Sequence, residues 1–287
     1  MNFLNEEKNS TKKKLIVKRS ILVGFVAILC WISFFVFGAY YHKKTITSAE
    51  ETKNKVSILK HLKKHINSKE KKQIVNIVPG YMEPWEIQRN NPHKTAYLTF
   101  DDGPSANTTK ILNILNANKI KATFFVIGKN AEAYPDLVKL EAKDGNSVGN
   151  HTYYHNIRYN EAPNEFLADV NKCDSVLKSI LGDKYTPKLI RFPGGSGEKN
   201  EPRLAAFRQT VKSAGYRYLD WNDETGDAEQ GLAPVSTLMY NLERYTSGHH
   251  TVVILMHDAS AKTTSVDALP QVIQYLKSLN FTFDKIS

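Results

Sequence analysis

Six apolar runs punctuate the chain from residue 95 onward: Thr95–Phe100, Ala122–Ile127, Lys188–Phe192, Tyr216–Trp221, Thr251–Met256 and Phe281–Ile286. Between them lie stretches with helical periodicity near Thr109–Ala117, Pro135–Asp144, Asn164–Leu181, Pro202–Ala214, Val235–Thr246 and Ala268–Leu279. Strand and helix alternating at this spacing predict a parallel sheet with helices outside it, either an open doubly wound sheet or a closed barrel. Upstream the pattern changes. Residues 42–72 are rich in Lys, with Val56, Leu59, Leu62 and Ile66 forming a thin apolar stripe, enough for a marginal helix or a stalk. Ile74–Val78 reads as a short strand stopped by Pro79-Gly80. Ser20–Tyr41 carries no charge, and its 22 residues match the roughly 20 that a helix needs to cross a bilayer.

Charge sharpens this division. Lys12, Lys13, Lys14, Lys18 and Arg19 precede the uncharged stretch, which predicts a cytoplasmic N-terminus and an outward-facing remainder. A cleaved signal peptide has a shorter apolar region of about 7–15 residues, so an uncleaved single-pass anchor is expected. Four segments follow: a basic tail (1–19), an anchor (20–41), a stalk (42–92) and a catalytic domain (93–287) lying outside the cell membrane. The net charge of +10 is confined to the first part of the chain, because residues 94–287 hold 22 basic and 22 acidic side chains. That distribution argues against nucleic acid and leaves two readings, an anionic membrane or wall surface as neighbour or an ordinary solvated stalk. The two cysteines, Cys30 and Cys173, fall on different sides of the predicted membrane boundary, so no disulfide is expected and Cys173 reads as a buried, inert thiol.

Polar residues recur at the C-terminal ends of the apolar runs, the face on which parallel barrels carry their active sites. Asp101-Asp102-Gly103-Pro104 follows Phe100. Two carboxylates so close repel one another, and a bound cation relieves that repulsion, which splits the pair into one metal ligand and one proton acceptor. His151 and His155 stand at i and i+4, a spacing that on a helical turn sets two imidazoles on one face. Thr152 occupies the place where zinc peptidases carry glutamate, which excludes that chemistry. Non-haem iron oxygenases share a set of two His and one carboxylate, but a second carboxylate beside it supplies the base that hydrolysis needs. Arg191-Phe192-Pro193-Gly194-Gly195 brings a cation to orient the free carboxylate, and a bare Gly194 amide able to donate to an oxyanion. His257, ending the strand at Met256, can carry a proton to a leaving group.

Together these residues resemble the NodB-type polysaccharide deacetylases, carbohydrate esterase family 4, over about residues 93–287. Thr99–Gly103 is similar to the family's first motif, His151/His155 to the second, Arg191/Pro193/Gly195 to the third and Leu255/His257 to the fifth. The resemblance implies a distorted (β/α) barrel with Asp101 as base, and Asp102, His151 and His155 as ligands of a divalent metal. Zinc is foremost among candidate metals, ahead of cobalt, manganese or nickel. It further implies Arg191 bracing the base, the Gly194 amide in the oxyanion hole and His257 as acid, with Leu255, Pro193 and Trp221 against the substrate. The fourth motif departs from the family pattern. Asp220 and Asp227 compete to tune His257, and spacing favours Asp227, with Ala228 where the family usually has Trp. The implied activity is N-deacetylation of a cell-wall glycan, foremost peptidoglycan N-acetylglucosamine. Poly-N-acetylglucosamine, chitin oligomers, N-acetylmuramic acid and O-acetyl xylan are alternatives, as is an inactive, metal-stabilised glycan-binding module. No protein partner is indicated.

Overall fold

The protein was analysed as a computed structural model, which describes Ser33 and residues 79–84, 93–185, 188–229 and 231–286. The expected anchor (20–41), nearly all of the stalk and the short strand at 74–78 lie outside the described residues. Among those described, no helix is long and apolar enough to cross a membrane. All residues treated below belong to one compact unit, Asn76–Ser287.

Nine strands form one sheet in which every pairing is parallel. In chain order these are β1 (Gly80–Tyr81), β2 (Lys94–Asp101), β3 (Thr123–Val126), β4 (Ser147–Asn150), β5 (Leu189–Ile190), β6 (Arg217–Tyr218), β7 (Asp223–Glu224), β8 (Thr251–His257) and β9 (Phe281–Asp284). They lie in the order β1-β6-β5-β4-β3-β2-β8-β7, with β9 beside the lower half of β2. No ladder joins β7 to β1 among the described residues, so the barrel is open on one side. Among the described residues seven α-helices surround it: α1 (Ala106–Asn118), α2 (Gly128–Ala133), α3 (Pro135–Lys143), α4 (Pro163–Leu181), α5 (Ala205–Ser213), α6 (Val235–Thr246) and α7 (Thr263–Ser278).

The uninterrupted apolar runs are explained by burial on both faces. Ala96, Leu98 and Phe100 of β2 pack outward with residues of α1, α6 and α7. Tyr97, Phe125, Leu189, Leu219 and Val253 fill the interior. An aromatic cluster of Phe166, Phe192, Phe207 and Tyr218 fastens α4 and α5 over β5 and β6. Each such side chain removed from water contributes about 1.5–3 kcal/mol. At the start of α1 the Ser105 hydroxyl accepts from the Asn107 amide at 3.0 Å, while Thr108 bonds back to the Ser105 amide. This capping box is worth about 1 kcal/mol and fixes the exit of the chain from β2.

Three strands and one short helix escape the apolar pattern, among them β1, which takes in the Gly80 expected to end a strand. β4 reads Ser-Val-Gly-Asn, too small and polar to register as a strand. Its Gly149 is required, since a Cβ there would lie 2.6 Å from the buried Phe125 ring. β7 is two acidic residues and α2 only six residues. Replacing Gly149 with Ala overpacks the interior beneath Arg191, and a loss of about 1–3 kcal/mol is expected. In thermal unfolding that is a fall in midpoint of several degrees, with no change in the chemistry of any site side chain.

Candidate active site

Parallel register sets the first relationship. Asp101 and His257 are direct partners on β2 and β8. With side chains alternating faces along each strand, Tyr97, Thr99 and Asp101 face inward beside Val253, Leu255 and His257. The strand ends therefore deliver the carboxylate and the imidazole to the same level of the rim. Asp102 would ordinarily point to the other side. It instead adopts φ +73°, a left-handed conformation that swings its carboxylate back into the cleft. Asn130 Nδ2 holds this turn by donating to the Asp102 carbonyl at 2.9 Å, and the Ile127 amide donates to the Gly103 carbonyl at 3.0 Å.

Residues 151–155 are a loop, not a helical turn, which corrects the reading of the histidine pair. Thr152 and His155 both have positive φ, incompatible with a right-handed helix. The loop is tied by the Asn150 side chain, accepting from the Thr152 amide at 2.8 Å, and by Thr152 Oγ1, accepting from the His155 amide at 3.0 Å. The rings nonetheless converge, with centroids 4.8 Å apart.

Asp102, His151 and His155 each offer one ligand atom within 4.8 Å of the others. The donor chemistry shows what they fit. His151 Nδ1 lies 2.8 Å from the Arg191 carbonyl, which can only accept, so Nδ1 carries the proton and Nε2 presents a bare lone pair. That lone pair faces Asp102 Oδ1 at 3.5 Å and Asp101 Oδ2 at 3.7 Å. Burial also pushes the His151 pKa down, against the opposing pull of Asp101 and Asp102. Asp102 Oδ1 is itself buried and receives no hydroxyl or amide hydrogen bond. Lone pairs converging on one point are the environment of a cation. For Asp102, burial works against ionisation, but the electrostatic pull of the surrounding imidazoles of His155, His151 and His257 outweighs it. Its carboxyl is held well below the usual carboxylate range.

Arg191 is wholly buried. Its Nη1 donates to Asp101 Oδ1 at 3.0 Å and to Thr99 Oγ1 at 2.6 Å, and its Nη2 to the Asp220 carbonyl at 3.1 Å. The guanidinium lies 4.4 Å from the Phe125 ring centroid and 5.7 Å from that of Trp221. Of the two competing aspartates, Asp227 meets His257: its Oδ1 lies 2.7 Å from Nδ1, and its Oδ2 accepts from the His257 amide at 2.8 Å and Ser265 Oγ at 2.6 Å. Asp220 instead accepts from the amide and hydroxyl of Ser196, each at 2.7 Å. Burial lowers the His257 pKa, but the Asp227 hydrogen bond and charge, aided by Asp101 and Asp102, raise it to about 9. Leu255 and Pro193 are buried at this rim, Trp221 is half-buried and Gly194 is exposed with φ +73°. Ala228 is exposed, so the family's usual Trp leaves no counterpart there.

Sequence reasoning missed Asn130, Asn150 and Asp258, and gave Thr99 no part beyond its place in the first motif. Asp258 is fully buried behind the aspartate turn, where it accepts from Thr108 Oγ1 at 2.5 Å and its amide donates to the Asp101 carbonyl at 3.1 Å. A Cβ on Gly103 would lie 2.1 Å from its carboxylate, which explains the glycine. Burial pushes its pKa up to about 7. Its place directly after His257 was the available signal.

An ion-paired carboxylate and a carboxylate-backed imidazole flank a cation-type donor set on the C-terminal rim of a parallel barrel. That is the equipment of a hydrolase. A family model described as polysaccharide deacetylase matches residues 88–219. A putative polysaccharide deacetylase of Bacillus subtilis is 34% identical over 204 residues, 69% of each chain. A peptidoglycan-N-acetylglucosamine deacetylase of Bacillus cereus is 35% identical over 195 residues, 67% of this chain and 68% of that one. Among solved structures, a polysaccharide deacetylase of Bacillus cereus superposes with a TM-score of 0.60 at 34% identity, covering 68% of this chain and 93% of that one. A Streptococcus mutans carbohydrate esterase of family 4 gives 0.63 at 29% identity, covering 73% and 92%. The chain belongs to the polysaccharide deacetylase family, and it is a deacetylase hydrolase.

With His257 as the acid that the family resemblance implies, and its pKa raised to about 9 by the partner carboxylate, activity is expected to fall as pH rises through that value. Asp227→Asn removes the charge that raises it and leaves burial to lower it. The alkaline limb of the kcat/KM profile should then move down by about 1–3 pH units.

Proposed function

We propose that the chain hydrolyses the N-acetyl group of peptidoglycan N-acetylglucosamine, with a divalent metal held by Asp102, His151 and His155. The observation that carries the metal is the His151 Nε2 lone pair facing two carboxylates while its Nδ1 proton is committed to the Arg191 carbonyl. When bound, such a cation polarises the acetyl carbonyl and lowers the pKa of water, and zinc suits this nitrogen and oxygen donor set.

The residues around the site take complementary parts. Asp101, fixed by Arg191 and standing 3.7 Å from His151 Nε2, is placed to accept the proton of the attacking water. The exposed Gly194 amide is the donor for the carbonyl oxygen as it gains negative charge. His257, protonated through Asp227, delivers a proton to the departing amine, and acetate and a glucosamine unit leave. Leu255 pairs with Thr99, one inward-facing level below the Asp101–His257 pair, an apolar side chain suited to a methyl group, and Pro193 and Trp221 complete the set of substrate-facing residues that the family resemblance implies.

The substrate rests on the relatives, several of which are peptidoglycan-N-acetylglucosamine deacetylases. The uncharged stretch 20–41 with its basic flank supports a membrane-tethered enzyme working on the wall outside the cell. Acetate release from purified peptidoglycan should vanish with a chelator and return with zinc or cobalt; full turnover by a metal-free preparation would refute the scheme. Asp101→Asn is expected to lower kcat by about 10²–10⁴ while bound metal stays near that of the unmodified chain. Asp102→Ala should lose the metal itself.

A further inference from the structure

Phe192-Pro193-Gly194-Gly195 closes a tight turn, with the Gly195 amide donating to the Phe192 carbonyl at 2.9 Å. Proline at the second position and φ +73° at the third are the pattern of a type II turn. Types I and II differ by a flip of the central peptide, here Pro193–Gly194, and glycine at the third position admits both. Nothing on Gly194 itself selects one, because it has no side chain and a Cβ built there would meet nothing within 4 Å.

The selection comes from another loop. Tyr159, on the loop that carries His155, donates its hydroxyl to the Pro193 carbonyl at 2.8 Å. Its ring is wedged among Phe166, Phe192 and Phe207, at centroid distances of 5.4, 6.2 and 5.2 Å. The acceptor is a carbonyl, so the phenol must be the donor, and burial followed by the charges of Asp220 and Glu161 raises its pKa and keeps it one. In a planar trans peptide the N–H points opposite the C=O. With the carbonyl tied toward the aromatic cluster, the Gly194 N–H is turned away from it. The far end of the turn is fixed separately, by Asp220 accepting from the Ser196 amide and hydroxyl.

We infer that Tyr159 is a positioning residue for the oxyanion donor: its hydroxyl holds the Pro193–Gly194 peptide in the orientation that presents the Gly194 amide to the reacting carbonyl. This rests on the reading of Gly194 given above. It assigns to a residue of the metal-carrying loop control over the oxyanion side of the cleft.

Tyr159→Phe in the full chain removes the hydroxyl and leaves the ring. The expected result is a fall in kcat of about tenfold, short of the 10²–10³ that outright loss of an oxyanion donor costs. KM, bound metal and the pH profile should stay within twofold or unshifted, with the unfolding midpoint lowered by no more than a few degrees. An unchanged kcat overturns the inference, as does a loss of kcat that tracks a loss of metal or a rise in KM. A crystal structure of the same variant reads the peptide without reference to activity. A rotated or multiply oriented Pro193–Gly194 plane supports the inference, and an unmoved plane overturns it. Should the unmodified chain release no acetate from peptidoglycan, the substrate reading fails, while the peptide orientation still decides the role of Tyr159.

Discussion

Everything at this rim depends on one buried guanidinium. Arg191 leaves β5 and crosses the barrel interior, bonding Thr99 and Asp101 on β2 and the carbonyls that follow β6, while its face covers Phe125 of β3. A charge with no exposure is costly unless it is paired and its donors are filled, and breaking such a pair by removing one partner costs about 3–5 kcal/mol. Arg191 meets that condition only with Asp101 in its present place. The arginine carbonyl also fixes the tautomer of His151, so one residue sets the base, the lone pair of a candidate ligand and the entry to the glycine turn. Gly149 is part of the same arrangement, since any Cβ on it would clash with the Phe125 ring that the guanidinium covers.

Backbone strain is concentrated around the same residues. Asp102, Thr152, His155 and Tyr159 all adopt left-handed conformations without being glycine. Each costs of order 1–3 kcal/mol, sustained only where neighbours over-determine the geometry. Those neighbours are identifiable: Asn130 at Asp102, Asn150 at Thr152, the Thr152 hydroxyl at His155 and the aromatic cluster around Tyr159. The rigid strands deliver Asp101, Arg191 and His257. The strained loops turn the remaining groups to meet them.

This division explains what was legible in the sequence. The long β2 and β8 announce themselves because both of their faces are buried, and the polar residues that end them stand out against apolar runs. β4 does not, because packing against Phe125 demands glycine where a strand signal needs a branched or aromatic residue. The histidine spacing was legible as a pair, but its conformation was not. A distance of four residues suits a helix, and the asparagine and threonine bonds that hold a loop instead carry no periodic signature. Asp227 was separated from Asp220 by spacing alone. The physical reason lies in the hydrogen bonds: Asp227 has the His257 amide, the Ser265 hydroxyl and the imidazole to satisfy it, whereas Asp220 is committed to Ser196. Asn130 and Tyr159 act on backbone carbonyls, which any residue supplies, so no pattern of side chains points to them.

The balance of charge bears on which of the two adjacent aspartates is base and which is ligand. Asp101 has a full positive partner in Arg191 at 3.0 Å, and Asp227 has one in the protonated His257 at 2.7 Å. Asp258 is buried with its pKa pushed to about 7, so near neutrality it is partly uncharged and asks for little. Asp102 meets only imidazoles in its ion-pair contacts. Its nearest neighbours are His151, whose Nδ1 proton is spent on a carbonyl, and His155 at 3.0 Å. A buried carboxylate oxygen with imidazole nitrogens around it is the setting that the proposed divalent ion would fit. A divalent ion there relieves the repulsion between Asp101 and Asp102 and gives the bare His151 nitrogen a partner. In the proposed scheme Asp101, already held by arginine, is the carboxylate left to take the proton. The family resemblance implies the same order of roles, and the buried Arg191–Asp101 pair is the physical feature that supports it.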